Sequence, residues 1–387
     1  MAAARAYLDH NASAPLLPAA RAAMLAALDV DANPSSVHSE GRAARRLIEQ
    51  ARRSVAVLVN AKPEHFVFTS GATEAASTLL TPDWQMGRGA VRMARLYVAA
   101  SDHPCLLSGG RFAKDRVEAL PVGRDGVLDL AVLSAALERH DRSEGLALVA
   151  IHAANNETGV VQPIARIAGL VEAAGGVLVV DTVQVAGRIP VDITAAYGDY
   201  LILSSHKIGG PKGAGAIVAK ADLMMPAPLV RGGGQEKGHR AGTENLAAIA
   251  GFGVAADEAR RSLDGIDAVR KKRDRIEQFV VDLVPDAEIF GRDAERLPNT
   301  VFFAIPGMKA ETAQIAFDLA GVALSAGSAC SSGKVGPSHV LKAMGRGDDA
   351  GALRVSIGHS PGEAEIARFA EALAAIAARR SHGSKAA

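Results

Sequence analysis

Tyr200-Leu-Ile-Leu-Ser-Ser-His-Lys207-Ile-Gly-Gly-Pro-Lys-Gly213 begins as a buried strand and ends in hydroxyls, an imidazole and an amine ahead of a glycine turn. In sheets flanked by helices, ligands sit where strands end. A lysine beside an apolar sheet gives up its charge more readily than an exposed one, and a neutral amine condenses with an aldehyde cofactor. Read alone, the segment fits a solvated loop lysine better, because lysine side chains are mostly exposed.

The surrounding chain sets that strand in a series. Phe66 to Thr69, Leu96 to Ala100, Leu146 to Ile151, Val177 to Val180 and Ala214 to Ala219 are short apolar runs with little polar alternation, the mark of strands covered on both faces. Helical stripes fall between them: Ala44, Leu47, Ile48, Ala51 and Val55 share one face, as do Ile164, Ile167, Leu170 and Val171 behind Pro163. The pattern predicts an α/β fold, a mostly parallel sheet layered with helices. From Glu244 to about Phe279 it changes to a long charged amphipathic stretch, followed by strand-like Thr300 to Ile305 and further helices. We expect a large domain over 15–254 and a smaller α+β domain formed by 1–14 and 255–387.

Other strand ends bear on the lysine. Val177-Leu-Val-Val-Asp181-Thr-Val-Gln184 puts a carboxylate after four apolar residues. A buried carboxylate needs a partner, and a pyridinium nitrogen is one; an N-cap aspartate is an equal reading. Gln184 is a donor to a phenolic oxygen or a loop amide. Phe66-Val-Phe-Thr-Ser-Gly-Ala-Thr73-Glu74 runs from a strand through Gly71 into a helix start, where free N–H groups and the Thr73 hydroxyl suit a phosphate. By itself it is an ordinary strand–turn–helix. His103, in Ala100-Ser-Asp-His-Pro-Cys105, follows a strand and either stacks on a planar ring or sits in a loop before a helix. Asn155-Asn156-Glu157-Thr-Gly159 is another strand end, with a turn as its plain explanation.

Ser325-Ala-Gly-Ser-Ala-Cys330-Ser-Ser-Gly-Lys-Val-Gly-Pro337 surrounds one thiol with small residues, which predicts a mobile, solvent-reaching loop and a reactive cysteine. Arg354, in a strand-like run, needs a carboxylate, either substrate or structural. Cys105 reads as a small core hydrophobe.

Composition narrows the field. The 387 residues are 49% hydrophobic, enough for two cores, and 43 basic against 42 acidic residues leave no broad field for nucleic acid or an anionic membrane. Arg270-Lys-Lys-Arg273 reads as a solvated helix face. The start lacks a secretory h-region and no apolar run approaches a membrane span, so a cytoplasmic protein is expected. Two cysteines are too few for a disulfide framework or a four-thiolate site, and no intrinsic metal is expected.

Taken together, Tyr7-Leu-Asp-His-Asn-Ala-Ser-Ala-Pro15, Asn33-Pro-Ser-Ser-Val-His38, Ser70 to Glu74, Asn155 to Gly159, Asp181 to Gln184, Ser204 to Lys207, Gly232 to Thr243 and Gly327-Ser-Ala-Cys330 resemble the cysteine desulfurase family of the class V aminotransferase group, over nearly the whole chain. The resemblance implies the pyridoxal-phosphate (PLP) transferase fold type I and a homodimer. It implies pyridoxal 5'-phosphate bound by Lys207 as Schiff-base lysine, Asp181 at the ring nitrogen, Gln184 and Asn156 near the phenolic oxygen and His103 over the ring. Ala72, Thr73, Ser204 and His206 would hold the phosphate, with Thr243 reaching the phosphate of the neighbouring subunit. Arg354, with Asn156, would bind the substrate carboxylate.

In the implied reaction Lys207 removes the Cα proton of L-cysteine, His103 manages the thiol proton, and Cys330 takes the sulfur as a persulfide, leaving L-alanine. The sulfur would pass to an acceptor protein such as an iron–sulfur scaffold. Selenocysteine lyase and class V aminotransferase are the rival activities. His10-Asn-Ala-Ser-Ala-Pro15 and Glu74-Ala-Ala-Ser77 depart from the family's usual residues and bear on substrate and acceptor preference.

Overall fold

A computed structural model describes residues 5–327, 338–347, 351–360 and 362–383. Cys330 lies outside the described residues. The chain opens with β1 (Ala6–Tyr7), then lays down β2 (Phe66–Thr69), β3 (Asp83–Met86), β4 (Gly89–Ala99), β5 (Val117–Leu120), β6 (Leu146–His152), β7 (Val177–Asp181), β8 (Tyr200–Ser204), β9 (Gly215–Ala219) and β10 (Met224–Pro226). Among the described residues β2 to β10 form a nine-stranded sheet in the order β10-β3-β4-β6-β7-β8-β9-β2, with β5 on β4. Strands β5, β4, β6, β7 and β8 run parallel, while β9, β2, β3 and β10 are antiparallel to their neighbours.

The central strands are apolar throughout because helices cover both faces. On one face Ile48, Ala51 and Val55 of helix Ser39–Leu58 pack with Ile167 and Val171 of helix Ile164–Ala173 and with Ile249 and Phe252 of helix Leu246–Ser262. Close helix contact depends on Gly253, where a Cβ would stand 2.6 Å from the Ala51 Cα. On the other face Ala75, Ala76 and Leu79 of helix Ala72–Leu79 pack against Val179, Ile202 and Ile217.

A second core is built on β11 (Glu288–Ile289), β12 (Thr300–Ala304), β13 (Val322–Ala323), β14 (Ser325–Ala326) and β15 (Leu353–Ser356). The sheet order is β11-β12-β15-β14, and β13 pairs with β1. The expected amphipathic stretch is two helices, Leu246–Ser262 and Ile266–Leu283, separated by a 3-10 turn at Leu263–Gly265. Asn245 caps the first by accepting from the Ala248 N–H at 3.1 Å. Ala255, Ala256 and Ala259 of the first helix belong to the large core. β4 begins well before the expected strand at Leu96 to Ala100, and its outer half pairs with β3 in a ribbon extended by β10, whose half-exposed residues lack the apolar run of the central strands.

The N-terminal segment bridges the cores. After β1 it pairs Asp9 with Ser356 of the small sheet, then crosses to the large domain, where Ala14 donates to His206 O and Leu17 to Gly209 O, both at 2.9 Å. No helix among the described residues is long and apolar enough to cross a membrane.

Candidate active site

The ends of β2, β6, β7 and β8 meet around a cavity of about 520 Å³. Lys207, in the 3-10 turn that follows β8, lines it and is only part-buried. Its Nζ donates to Asn11 O at 2.6 Å and Ala12 O at 3.0 Å, so the amine rests under the N-terminal segment.

Asp181 closes β7 and is 7% exposed. Burial raises its carboxyl to about 6 even though the Val183 N–H donates to Oδ1 at 2.9 Å. Such a group gains from a cationic partner. Gln184 Nε2 donates to Asn11 O at 3.1 Å, and its Oε1 accepts from Arg188 at 2.6 Å, which fixes the amide's orientation.

His103 caps helix Pro104–Leu107, its Nδ1 accepting from the Cys105 N–H at 3.2 Å. Burial, and then the nearby Lys207 and His339, lower it to about 4. At neutral pH it is uncharged, with its hydrogen on Nε2. Cys105 is buried among apolar neighbours as expected, yet it also borders the cavity.

The anion-binding end is the start of helix Ala72–Leu79. Its N-cap, Gly71, has no side chain to occupy the first-turn N–H groups, and Ser70, Gly71, Ala72 and Thr73 face the cavity. Gly71 lies so close to β9 that a Cβ on Gly215 would come within 2.6 Å of it. Burial opposes the charge of Glu74, but hydrogen bonds from Arg240 at 3.0 Å and Ser70 N–H at 2.8 Å outweigh it and keep the carboxyl below its usual range. Ser204 and His206 also line the cavity, and burial lowers His206 to about 4.

The glycine-rich segment is held by Glu236, a buried carboxylate that accepts from Arg52 at 2.6 and 2.9 Å and from the Phe68 N–H at 2.8 Å. These bonds sustain left-handed backbone at Glu236 and Lys237, φ 48° and 57°. Thr243, at the end of the segment, is exposed and outside its own chain's cavity.

Arg354 is fully buried on β15 and does not line the cavity. It donates to Asn156 O at 2.9 Å, Asp9 Oδ1 at 2.8 Å and Ser325 Oγ at 3.1 Å. Its carboxylate partner in this structure is therefore Asp9. Asn156 itself lines the cavity.

His152, at the last position of β6, borders the cavity and pairs through Nδ1 with fully buried Asp102. The apolar run Leu146 to Ile151 ends one position before it. A polar residue closing an apolar run, the signal that exposed Asp181, was present there too. Arg188, Asn11 and Asp102 carry no such local mark.

The aminotransferase class-V family model matches residues 6–369. The chain is 40% identical to a cysteine desulfurase of Cereibacter sphaeroides, over 96% of this chain and 95% of that protein. It is 35% identical to an IscS-like cysteine desulfurase of Mycobacterium tuberculosis, over 97% and 96%. Among solved structures it resembles a NifS-like protein from Rickettsia africae, with a TM-score of 0.85, 31% identity and coverage of 96% and 99%.

Proposed function

The chain belongs to the class-V aminotransferase family and is a cysteine desulfurase, and we propose that it works with pyridoxal 5'-phosphate beside Lys207 and with Cys330 as sulfur carrier. The observation that carries this reading is the convergence of Lys207, Asp181, His103 and Thr73 on one cavity. The donor set suits the group: an uncapped helix start for a phosphate, a buried carboxyl in want of a cation, and an amine between them.

When bound, the group supplies an aldehyde carbon for amines and a ring that spreads the charge left by proton loss. Ala72, Thr73, Ser204 and His206 hold its phosphate, Asp181 as carboxylate keeps its ring nitrogen protonated, and Gln184 Nε2 donates toward its phenolic oxygen. Lys207 takes the Cα proton of cysteine and later returns one. Arg354 and Asn156 orient the substrate carboxylate, with Asp9 holding the guanidinium in the meantime. His103 exchanges a proton with the substrate sulfur. Cys330 thiolate attacks that sulfur: an S–S bond forms, the Cβ–S electron pair stays on carbon, and that carbon takes a proton to end as alanine.

The working unit is a homodimer in the cytoplasm, and Thr243, exposed away from its own cavity, serves the phosphate of the partner subunit. The persulfide goes to an acceptor protein, in our reading an iron–sulfur scaffold, a choice supported by the IscS-like and NifS-like kinship.

L-cysteine without any added oxoacid should yield alanine and protein-bound sulfur in equal amounts in the first turnover. Sustained amino transfer to an oxoacid would favour an aminotransferase, and sulfur release that survives loss of Cys330 would favour a selenocysteine lyase.

Asp181 adds a pH dependence. With its carboxyl raised to about 6, the cofactor-free protein gains stability from the protonated group at low pH and loses it as pH rises through about 6. Loading needs the carboxylate, so affinity for pyridoxal phosphate should weaken by about tenfold per pH unit below that point. Titrating cofactor into stripped protein between pH 5 and 8 checks this, and a flat profile on the acid side would contradict it.

A further inference from the structure

Asn11 is fully buried, and each of its polar groups is engaged. Its main-chain N–H donates to Ser356 Oγ at 2.9 Å. Nδ2 donates to Thr300 Oγ1 at 2.9 Å and to Asn156 O at 3.3 Å, and Oδ1 accepts from Asn299 Nδ2 at 3.0 Å. Thr300 and Ser356 belong to β12 and β15, so the small sheet holds this residue by its side chain and its backbone.

The carbonyl of Asn11 faces the other domain. It accepts from Lys207 Nζ at 2.6 Å and from Gln184 Nε2 at 3.1 Å, which uses both lone pairs. Gln184 is oriented by Arg188, and Arg188 reaches back to Lys207 O at 3.4 Å. Lys207, Asn11, Gln184 and Arg188 thus close a ring of hydrogen bonds, and Asn11 fastens that ring to the small sheet through its own side chain.

We propose that Asn11 is a positioning residue for Lys207: held by β12 and β15, it fixes the carbonyl against which the amine rests between proton transfers. The small domain then sets where the large domain's lysine stands. Loosening Asn11 lets the amine wander, and a misplacement of about 1 Å in a reacting group can cost on the order of 100-fold in rate. The inference rests on Lys207 as the cofactor lysine.

The test compares Asn11→Ala and Thr300→Val with Phe317→Leu, a change in the small-domain core at a side chain that makes none of the ring's bonds. In the loaded enzyme, Asn11→Ala should lower kcat for cysteine by about 10- to 100-fold while KM changes little. The pH midpoint of its near-ultraviolet cofactor band should move, and reloading of stripped protein should slow. Thr300→Val should shift the same three quantities less, and in the same direction. Phe317→Leu should lower thermal stability and leave kcat and the band midpoint at native values.

If Asn11→Ala does not fold, Thr300→Val decides. Native kcat and band midpoint in the folded fraction of Asn11→Ala, or of Thr300→Val in that case, would overturn the inference. A wild-type protein that forms no such band would overturn the reading of Lys207 as well.

Discussion

Lys207→Ala should fold like the native protein yet lack the near-ultraviolet cofactor band and lose cysteine turnover, by on the order of 10³-fold or more. The side chain is only part-buried and its Nζ bonds go to two main-chain carbonyls, so truncation opens no large cavity in either core. What it removes is the cavity amine that, in the proposed reaction, serves the Cα proton. Circular dichroism and thermal melting should stay near native while the absorbance band is missing. Normal desulfuration by this variant would end the assignment.

The same variant tests the proposal that Thr243 serves the partner subunit's site. Thr243 is exposed and outside its own cavity. Mixed subunits of Lys207→Ala and Thr243→Ala should regain part of the native activity, because one hybrid site carries neither defect. No recovery, once subunit exchange is proven, would count against a phosphate contact across the dimer.

Cys330→Ser should separate cofactor chemistry from sulfur capture. Serine keeps the size of the side chain but supplies no sulfur nucleophile. The variant should keep the cofactor band and change its absorbance when cysteine is added, since Lys207, Asp181 and His103 are untouched. Sulfur transfer should fall by about 10²-fold or more, because a hydroxyl at its ordinary pKa is a far weaker nucleophile than a thiolate. Alkylating the native enzyme should reproduce this behaviour, and prior treatment with cysteine should protect the thiol.

The parts of this site that are legible in sequence are those where an apolar run is abruptly broken by a polar residue. Val177 to Val180 are apolar because helices cover both faces of β7, and Asp181 stands out for breaking that run. Lys207 and Thr73 stand out in the same way after β8 and β2. Contacts made across the whole chain leave no such trace. Asn11 meets Lys207 from 196 positions away, and Asp9 meets Arg354 from 345. Each is an ordinary polar residue until the fold lays the N-terminal segment beside the small sheet. Arg188 is hidden for another reason: it follows Gln184 by four positions in a run of turns, where a surface residue is the default, and only the closed fold shows it buried against that amide. In this structure Arg354 pairs with Asp9, which spacing alone does not single out.

The most direct test of the account follows the sulfur. Enzyme loaded with pyridoxal phosphate, treated with one equivalent of isotopically labelled L-cysteine and digested under non-reducing conditions, should show by mass spectrometry a single added labelled sulfur on the peptide containing Cys330, with an equal amount of alanine released. Label on Cys105, which also borders the cavity, or alanine release with no labelled peptide, would contradict it.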